Sequence, residues 1–201
     1  MRDRIEELSS AFNRFPGIGP RQAKRFVYHL LSVPQGDRAR MAEIIQNLAN
    51  DVRQCTLCMR FAPANHEGLC TYCADSNRDD SLLLIIEKDQ DLGAVERAGT
   101  YRGRYFVLGG VITLSGKGAI RERDLVRVVE IRARQGLKEI VLALSATSEG
   151  EHTADRVREL LAPLRGPVTL SELGRGLATG SELEYADSAT LSAALQNRKE
   201  A

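Results

Sequence analysis

Apolar positions follow two different rhythms along the chain, and the change comes close to residue 80. Before it, the spacing is helical. Ile5, Leu8 and Phe12 recur at three and four residues and stop at Pro16, which predicts a first short helix. Ala23, Phe26, Val27, Leu30 and Leu31 form a second stripe, with Pro20 suited to the first turn. Met41, Ile44, Ile45, Leu48 and Val52 form a third, which predicts a helix N-capped by Asp37 that buries this face and leads directly to Cys55. Beyond Ser76-Asn-Arg-Asp-Asp80, a polar connector, the pattern changes to short continuous apolar runs. Leu82-Leu-Leu-Ile-Ile86, Tyr105-Phe-Val-Leu108 and Ile140-Val-Leu-Ala-Leu144 suit strands covered on both faces. Val168-Thr-Leu170 could supply a fourth. Helical stretches at about 89–99, 121–135 and 151–164 alternate with them, so the expected fold is α/β with a mainly parallel sheet. The tail carries Leu183-Glu-Tyr185 and then a short helix over about 187–197, a strand/helix tail segment. There is no internal repeat.

Composition narrows the class without naming a partner. The chain has 201 residues, 43% of them hydrophobic, which is enough for one sizeable core plus small modules. Its formal net charge of +1 gives no global argument for nucleic acid. Locally, residues 1–60 carry ten Lys/Arg against six Asp/Glu, a net of +4, whereas residues 61–201 carry eighteen against twenty-one, a net of −3. The front of the chain is therefore the better place for an anionic partner. No apolar run reaches the roughly eighteen residues of a membrane span, and the N-terminus does not resemble an export signal. A cytoplasmic, nucleoid-associated protein is expected.

All four cysteines lie within nineteen residues, as Cys55-Thr-Leu-Cys58 and Cys70-Thr-Tyr-Cys73. Each C-x2-C sets two thiolates on one tight turn, and four thiolates complete the tetrahedral shell that Zn²⁺ favours. Two disulfides are the competing reading, but they suit a secreted mini-protein more than a 201-residue chain rich in aliphatic residues. One structural zinc per chain is expected on Cys55, Cys58, Cys70 and Cys73, with His66 left as a loop residue. A closed four-sulfur shell offers no open position for catalysis.

Between the first two helices lies Phe15-Pro-Gly-Ile-Gly-Pro20. Gly17 and Gly19 permit positive φ and close approach, so that a phosphate can meet backbone N–H groups at a helix N-terminus. Arg21, Lys24 and Arg25 lie on one face just beyond and can reach flanking phosphates. This is the pattern of a helix-hairpin-helix module, expected to bind single- and double-stranded DNA without reading bases and with strong salt dependence. A plain αα turn with a solvated basic face is the alternative.

Glu87 ends the first strand of the α/β part, where parallel sheets usually meet ligands, and Ile140–Leu144 runs into Ser145-Ala-Thr-Ser-Glu-Gly-Glu151. This layout resembles a Toprim domain. In catalytic Toprim domains a strand-end Glu and an Asp-x-Asp pair hold Mg²⁺; here Ser145 and Thr147 stand at the aspartate positions. Glu87, Glu149 and Glu151 remain, but the pair that clamps metal for phosphoryl transfer is missing. No catalytic residue is assigned. A metal-dependent nuclease or primase with unusual ligands is the runner-up, and a zinc-ribbon protein that docks other proteins is a third reading. Ser115-Gly-Lys-Gly118 lacks Walker A spacing and is expected to be a loop.

Taken in order, the hairpin, the four cysteines, Tyr101-Arg-Gly-Arg-Tyr-Phe-Val-Leu-Gly-Gly110, Thr147-Ser-Glu-Gly-Glu151 and Gly176-Leu-Ala-Thr-Gly-Ser-Glu-Leu-Glu-Tyr-Ala-Asp187 resemble the RecR family of bacterial recombination mediators across essentially the whole chain. The resemblance implies a helix-hairpin-helix module over 1–53, a C4 zinc finger over 54–77, a Toprim domain over 78–172 and a tail over 173–201. It further implies a non-enzymatic DNA-repair protein that forms ring-like tetramers and joins RecO, and in some settings RecF, to load RecA on single strands. DNA contact falls to Arg21 and Arg25 with Lys24 beside them, and partner contact to Glu87, Glu149 and Glu151. Ser145-Ala146 replaces an expected Asn-Pro, and Ala178 and Ser181 replace an expected Pro and Gly.

Overall fold

The computed structural model describes residues 3–63, 67–116, 118–164, 166 and 168–198; His66 and Lys117 lie outside the described residues. The chain divides into two compact units, Met1–Val52 and Arg53–Ala201.

The first unit holds α1 (Arg4–Phe12), α2 (Pro20–Ser32) and α3 (Gln35–Asp51). Asp3 caps α1 by accepting from the Ile5 N–H, and Pro20 opens α2 where a missing N–H costs nothing. Phe12 meets Phe26 edge to face at 5.7 Å between ring centroids, and Ala23 and Val27 are buried against α1. Helix α3 corrects two expectations. Pro34 rather than Asp37 occupies its N-cap, because the fixed φ of proline suits the approach to the helix, and Asp37 falls in the first turn. Its apolar stripe is not buried: Met41, Ile44, Ile45 and Leu48 are each at least half exposed, and Val52 is only partly covered. Two helices offer too little apolar surface to cover a seventeen-residue third.

The second unit is built on a four-stranded, all-parallel sheet in the order β4-β3-β5-β6, from β3 (Asp79–Ile86), β4 (Gly103–Val107), β5 (Glu139–Ala143) and β6 (Thr169–Glu172). Ahead of it lie a two-residue ribbon, β1 (Arg53–Gln54) with β2 (Phe61–Ala62), and the short helix α4 (Thr71–Ala74). Helices α5 (Asp89–Ala98), α6 (Glu122–Arg134) and α7 (Ser148–Leu161) follow β3, β4 and β5. In the tail, Leu183–Tyr185 is a 3₁₀ turn rather than a strand, and α8 (Ser188–Gln196) is capped by Asp187. Among the described residues no helix is long and apolar enough to cross a membrane.

The continuous apolar run in β3 is explained by what covers it. Leu83 and Ile85 point into a core shared with α6 and α7, through Leu125, Val128, Val129, Val157 and Leu161. Leu84 and Ile86 point the other way, into a second core with Tyr105, Val107, Leu92 of α5 and the cysteine module. Where a doubly wound sheet usually has helices on both faces, this one has the Cys55–Cys73 segment over part of the second face.

Gly150 sets the close packing of α7 on the end of β5, because a Cβ there would collide with the Ser145 carbonyl oxygen. Backbone cannot swing aside as a side chain can. Gly150→Ala is therefore expected to destabilise the second unit by about 2 kcal/mol or more, read as a lowered thermal midpoint. An unchanged midpoint would contradict this packing.

Candidate metal centre, hairpin and strand-end acids

The cysteine module begins where β1 turns. Cys55 N–H donates to the Arg60 carbonyl, Met59 N–H returns to Cys55, and Cys73 N–H donates to Cys70, closing two knuckles. Met59 takes a left-handed φ of 61° to make the first turn. No disulfide joins the four cysteines. Their ligand atoms lie within 4.8 Å of one another, with Cys58 and Cys70 Sγ at 3.5 Å. Sulfurs at that spacing fit around one tetrahedral ion with bonds of about 2.3 Å. The thiols also act on each other. Hydrogen bonding from Cys58, then Cys70 and Cys73, pulls the Cys55 thiol well below its ordinary value, while Cys55, then Cys70 and Cys73, push Cys58 far above. Four crowded sulfurs cannot all ionise without a cation. The donor set can therefore hold a metal ion such as zinc.

The hairpin places Gly17 at φ 76°, a conformation that a Cβ would strain. Gly19 departs from expectation: its φ is −87°, and it serves as the N-cap of α2 with no side-chain cap. Its contribution is space, since nothing lies within 4 Å of where a Cβ would stand. Arg21 and Arg25 are exposed on the first turns of α2. Lys24 is not equally free: its Nζ pairs with Glu6 at 2.6 Å, and hydrogen bonding to Glu6 raises its pKa.

The strand-end acids separate into three situations. Glu87 is 9% exposed, and its Oε1 accepts from both the N–H and the hydroxyl of Ser145, each at 2.6 Å. Ser145 in turn lies 3.1 Å from the Thr147 hydroxyl, whose oxygen caps α7 at the Gly150 N–H. Glu151 is engaged by the Arg175 guanidinium. Of the three, Glu149 alone is exposed, in the first turn of α7. The two residues at the aspartate positions thus satisfy Glu87 and the helix end by hydrogen bonding, a role not evident in the bare sequence.

Sequence reasoning missed three arginines of the second unit. Arg78 Nη2 donates to both carboxylate oxygens of Glu96 at 2.7 Å, and the guanidinium stacks on Tyr72. Arg104 binds Asp80 at 2.7 Å and donates to the carbonyls of Tyr72 and Cys73 at 2.9 and 3.2 Å. Arg132 is 3% exposed. A signal existed for the last: Arg132 occupies the i+7 position of the apolar stripe Leu125, Val128, Val129.

Comparison with known proteins follows the same order of parts. Family models match for the RecR helix-hairpin-helix over residues 5–49, for a Toprim domain over 81–173, and for the RecR C-terminal segment over 176–199. Proteins named Recombination protein RecR are similar over nearly the whole chain. That of Cutibacterium acnes is 36% identical over 195 residues, covering 96% of this chain and 94% of its own. That of Maricaulis maris is 39% identical over 196 residues, 96% and 94%, and that of Mycobacterium leprae 37% over 199 residues, 97% and 96%.

Proposed function

The chain belongs to the RecR family of recombination proteins, and from that premise we propose that it is a non-enzymatic DNA-binding mediator of recombinational repair. The observation that carries this reading is the Glu87–Ser145 pair. At the strand end where a Toprim enzyme would gather carboxylates around a metal, the one buried carboxylate is already satisfied by an amide and a hydroxyl. Phosphoryl transfer loses its clamp there, and the surface best suited to nucleic acid is the hairpin.

In this reading each hairpin contacts phosphates through Arg21, Arg25 and the open N-terminus of α2, with Gly17 and Gly19 allowing close approach. Binding is indifferent to sequence and to strandedness. Lys24 contributes less, because Glu6 competes for it. Zinc occupies the four sulfurs as a structural ion, one per chain. Among the acids, Glu149 is the one presented to a partner, whereas Glu87 and Glu151 hold the platform together. The partners are RecO and, in some settings, RecF, and the outcome is loading of RecA on single-stranded DNA. The domains divide at 1–53, 54–77, 78–172 and 173–201, in a cytoplasmic protein working at the nucleoid.

A ring-like tetramer completes the proposal, supported by the uncovered face of α3. Ile45 is 65% exposed and Leu48 57%, and these two with Met41 and Ile44 make a stripe that a second copy can bury. The full chain should weigh as a multimer by light scattering at micromolar concentration, and Ile45→Asp should reduce the mass with zinc content and helicity unchanged. A monomeric parent chain would overturn the ring, and failure of the multimer to bind single-stranded DNA would overturn the mediator reading.

A further inference from the structure

We infer that Arg132 is a positioning residue of the metal module: with Arg104, it forms a buried cationic bracket that offsets the negative charge of the zinc-loaded cysteines and holds the module on the sheet. This rests on the zinc reading above. The starting point is an imbalance. Arg104 and Arg132 are 6% and 3% exposed, yet one carboxylate serves both: Asp80, at 2.7 Å from Arg104 and 3.4 Å from Arg132. Asp80 is itself half exposed, so its charge is partly spent on solvent. Arg132 is the less satisfied of the two. Among the described residues its Nε and Nη2 are buried without a hydrogen-bond partner. A guanidinium so placed is costly unless another negative charge lies near.

That charge lies on the module side of the sheet. Four thiolates around Zn²⁺ carry a net −2, buried on cysteines of which three are 0–1% exposed. Arg104 reaches the second knuckle directly, through the Tyr72 and Cys73 carbonyls. Arg132 joins that network through Asp80, whose Oδ1 accepts from Arg104 Nε at 2.7 Å and from Arg132 Nη1 at 3.4 Å, while burial, the largest influence, pulls the Arg132 pKa down. Two other contacts fasten the first knuckle. Arg127 donates to the Thr56 carbonyl at 2.9 Å, and the Val107 N–H of β4 donates to the Cys58 carbonyl at 2.8 Å. Both knuckles are thus tied to β4 and α6, and Arg132, with Nε and Nη2 short of partners, stands behind Arg104 on their shared Asp80. Groups around a metal's ligands commonly set its affinity by about tenfold to a hundredfold.

The test is zinc affinity of the full chain, measured by competition with a chromophoric chelator, together with thermal midpoints. Three variants are compared: Arg132→Met, which keeps bulk and removes charge; Arg132→Lys, which keeps charge; and Val128→Ala, which loosens the same helix without touching charge. Arg132→Met is expected to weaken zinc binding at least about tenfold, Arg132→Lys to recover most of that, and Val128→Ala to lower the midpoint with little change in zinc affinity. Equal loss of zinc affinity in Arg132→Met and Val128→Ala, or no recovery with Arg132→Lys, would overturn the bracket and leave the zinc reading intact. A parent chain that takes up no zinc would overturn both.

Discussion

Cys58→Ser is expected to cost this protein its metal and roughly 10 °C of thermal midpoint. Cys58 is 1% exposed, lies 3.5 Å from Cys70 across the cluster, and lends its carbonyl to the Val107 N–H of the sheet. Three thiolates and a serine hydroxyl make a much poorer zinc shell. A ligand present at a thousand times its dissociation constant contributes about 4 kcal/mol to the folded state. For a chain of this size each kcal/mol moves the midpoint by about 2–4 °C. The loss spreads beyond the module because the module covers Leu84, Ile86, Tyr105 and Val107. Without the metal, the two knuckles over that face of the sheet lose the ion that ties them together. Metal analysis and a melting curve check this together: a variant that still holds one zinc, or melts with the parent chain, would refute the structural role.

The parts of this fold that could be read from the sequence are those decided by neighbours close in the chain. Strand and helix positions in the second unit follow apolar runs and periodic stripes, and the four cysteines announce themselves by spacing. What sequence left hidden depends on partners distant in the chain. The stripe Met41, Ile44, Ile45, Leu48 predicts an apolar face correctly, but periodicity cannot say whether that face meets its own chain or another copy. Ser145 and Thr147 register in the sequence only as missing aspartates. Their positive role, holding Glu87 and capping α7, depends on two strand ends meeting across a sheet. The same holds for Lys24, which spacing places with Arg21 and Arg25 but which α1 claims through Glu6. Gly19 shows the limit of reading residue type for conformation: glycine allows positive φ, but here it supplies an unobstructed approach instead.

That distinction within the basic face gives the second large effect. Arg21→Ala combined with Arg25→Ala should lower affinity for single-stranded DNA about a hundredfold or more at moderate salt, leaving zinc content and assembly unchanged. One phosphate contact is weak, and one hairpin makes few. If each mutated hairpin loses about tenfold, two hairpins engaged on one strand lose about a hundredfold, because bound copies raise each other's effective concentration. The salt dependence must change in parallel: each phosphate contact removed from duplex DNA lowers the log–log slope by about 0.9, and from a single strand by about 0.7. Lys24→Ala should do less than either arginine, since its ammonium already neutralises Glu6 at 2.6 Å. Glu6→Gln should then strengthen binding by releasing Lys24 to the strand. Fluorescence anisotropy across a salt series measures these variants and the two single arginine variants. Unchanged affinity with an unchanged slope in the double arginine variant would remove the hairpin from the DNA interface. A larger loss from Lys24→Ala than from Arg21→Ala would show that phosphate, and not Glu6, holds the lysine in the bound state.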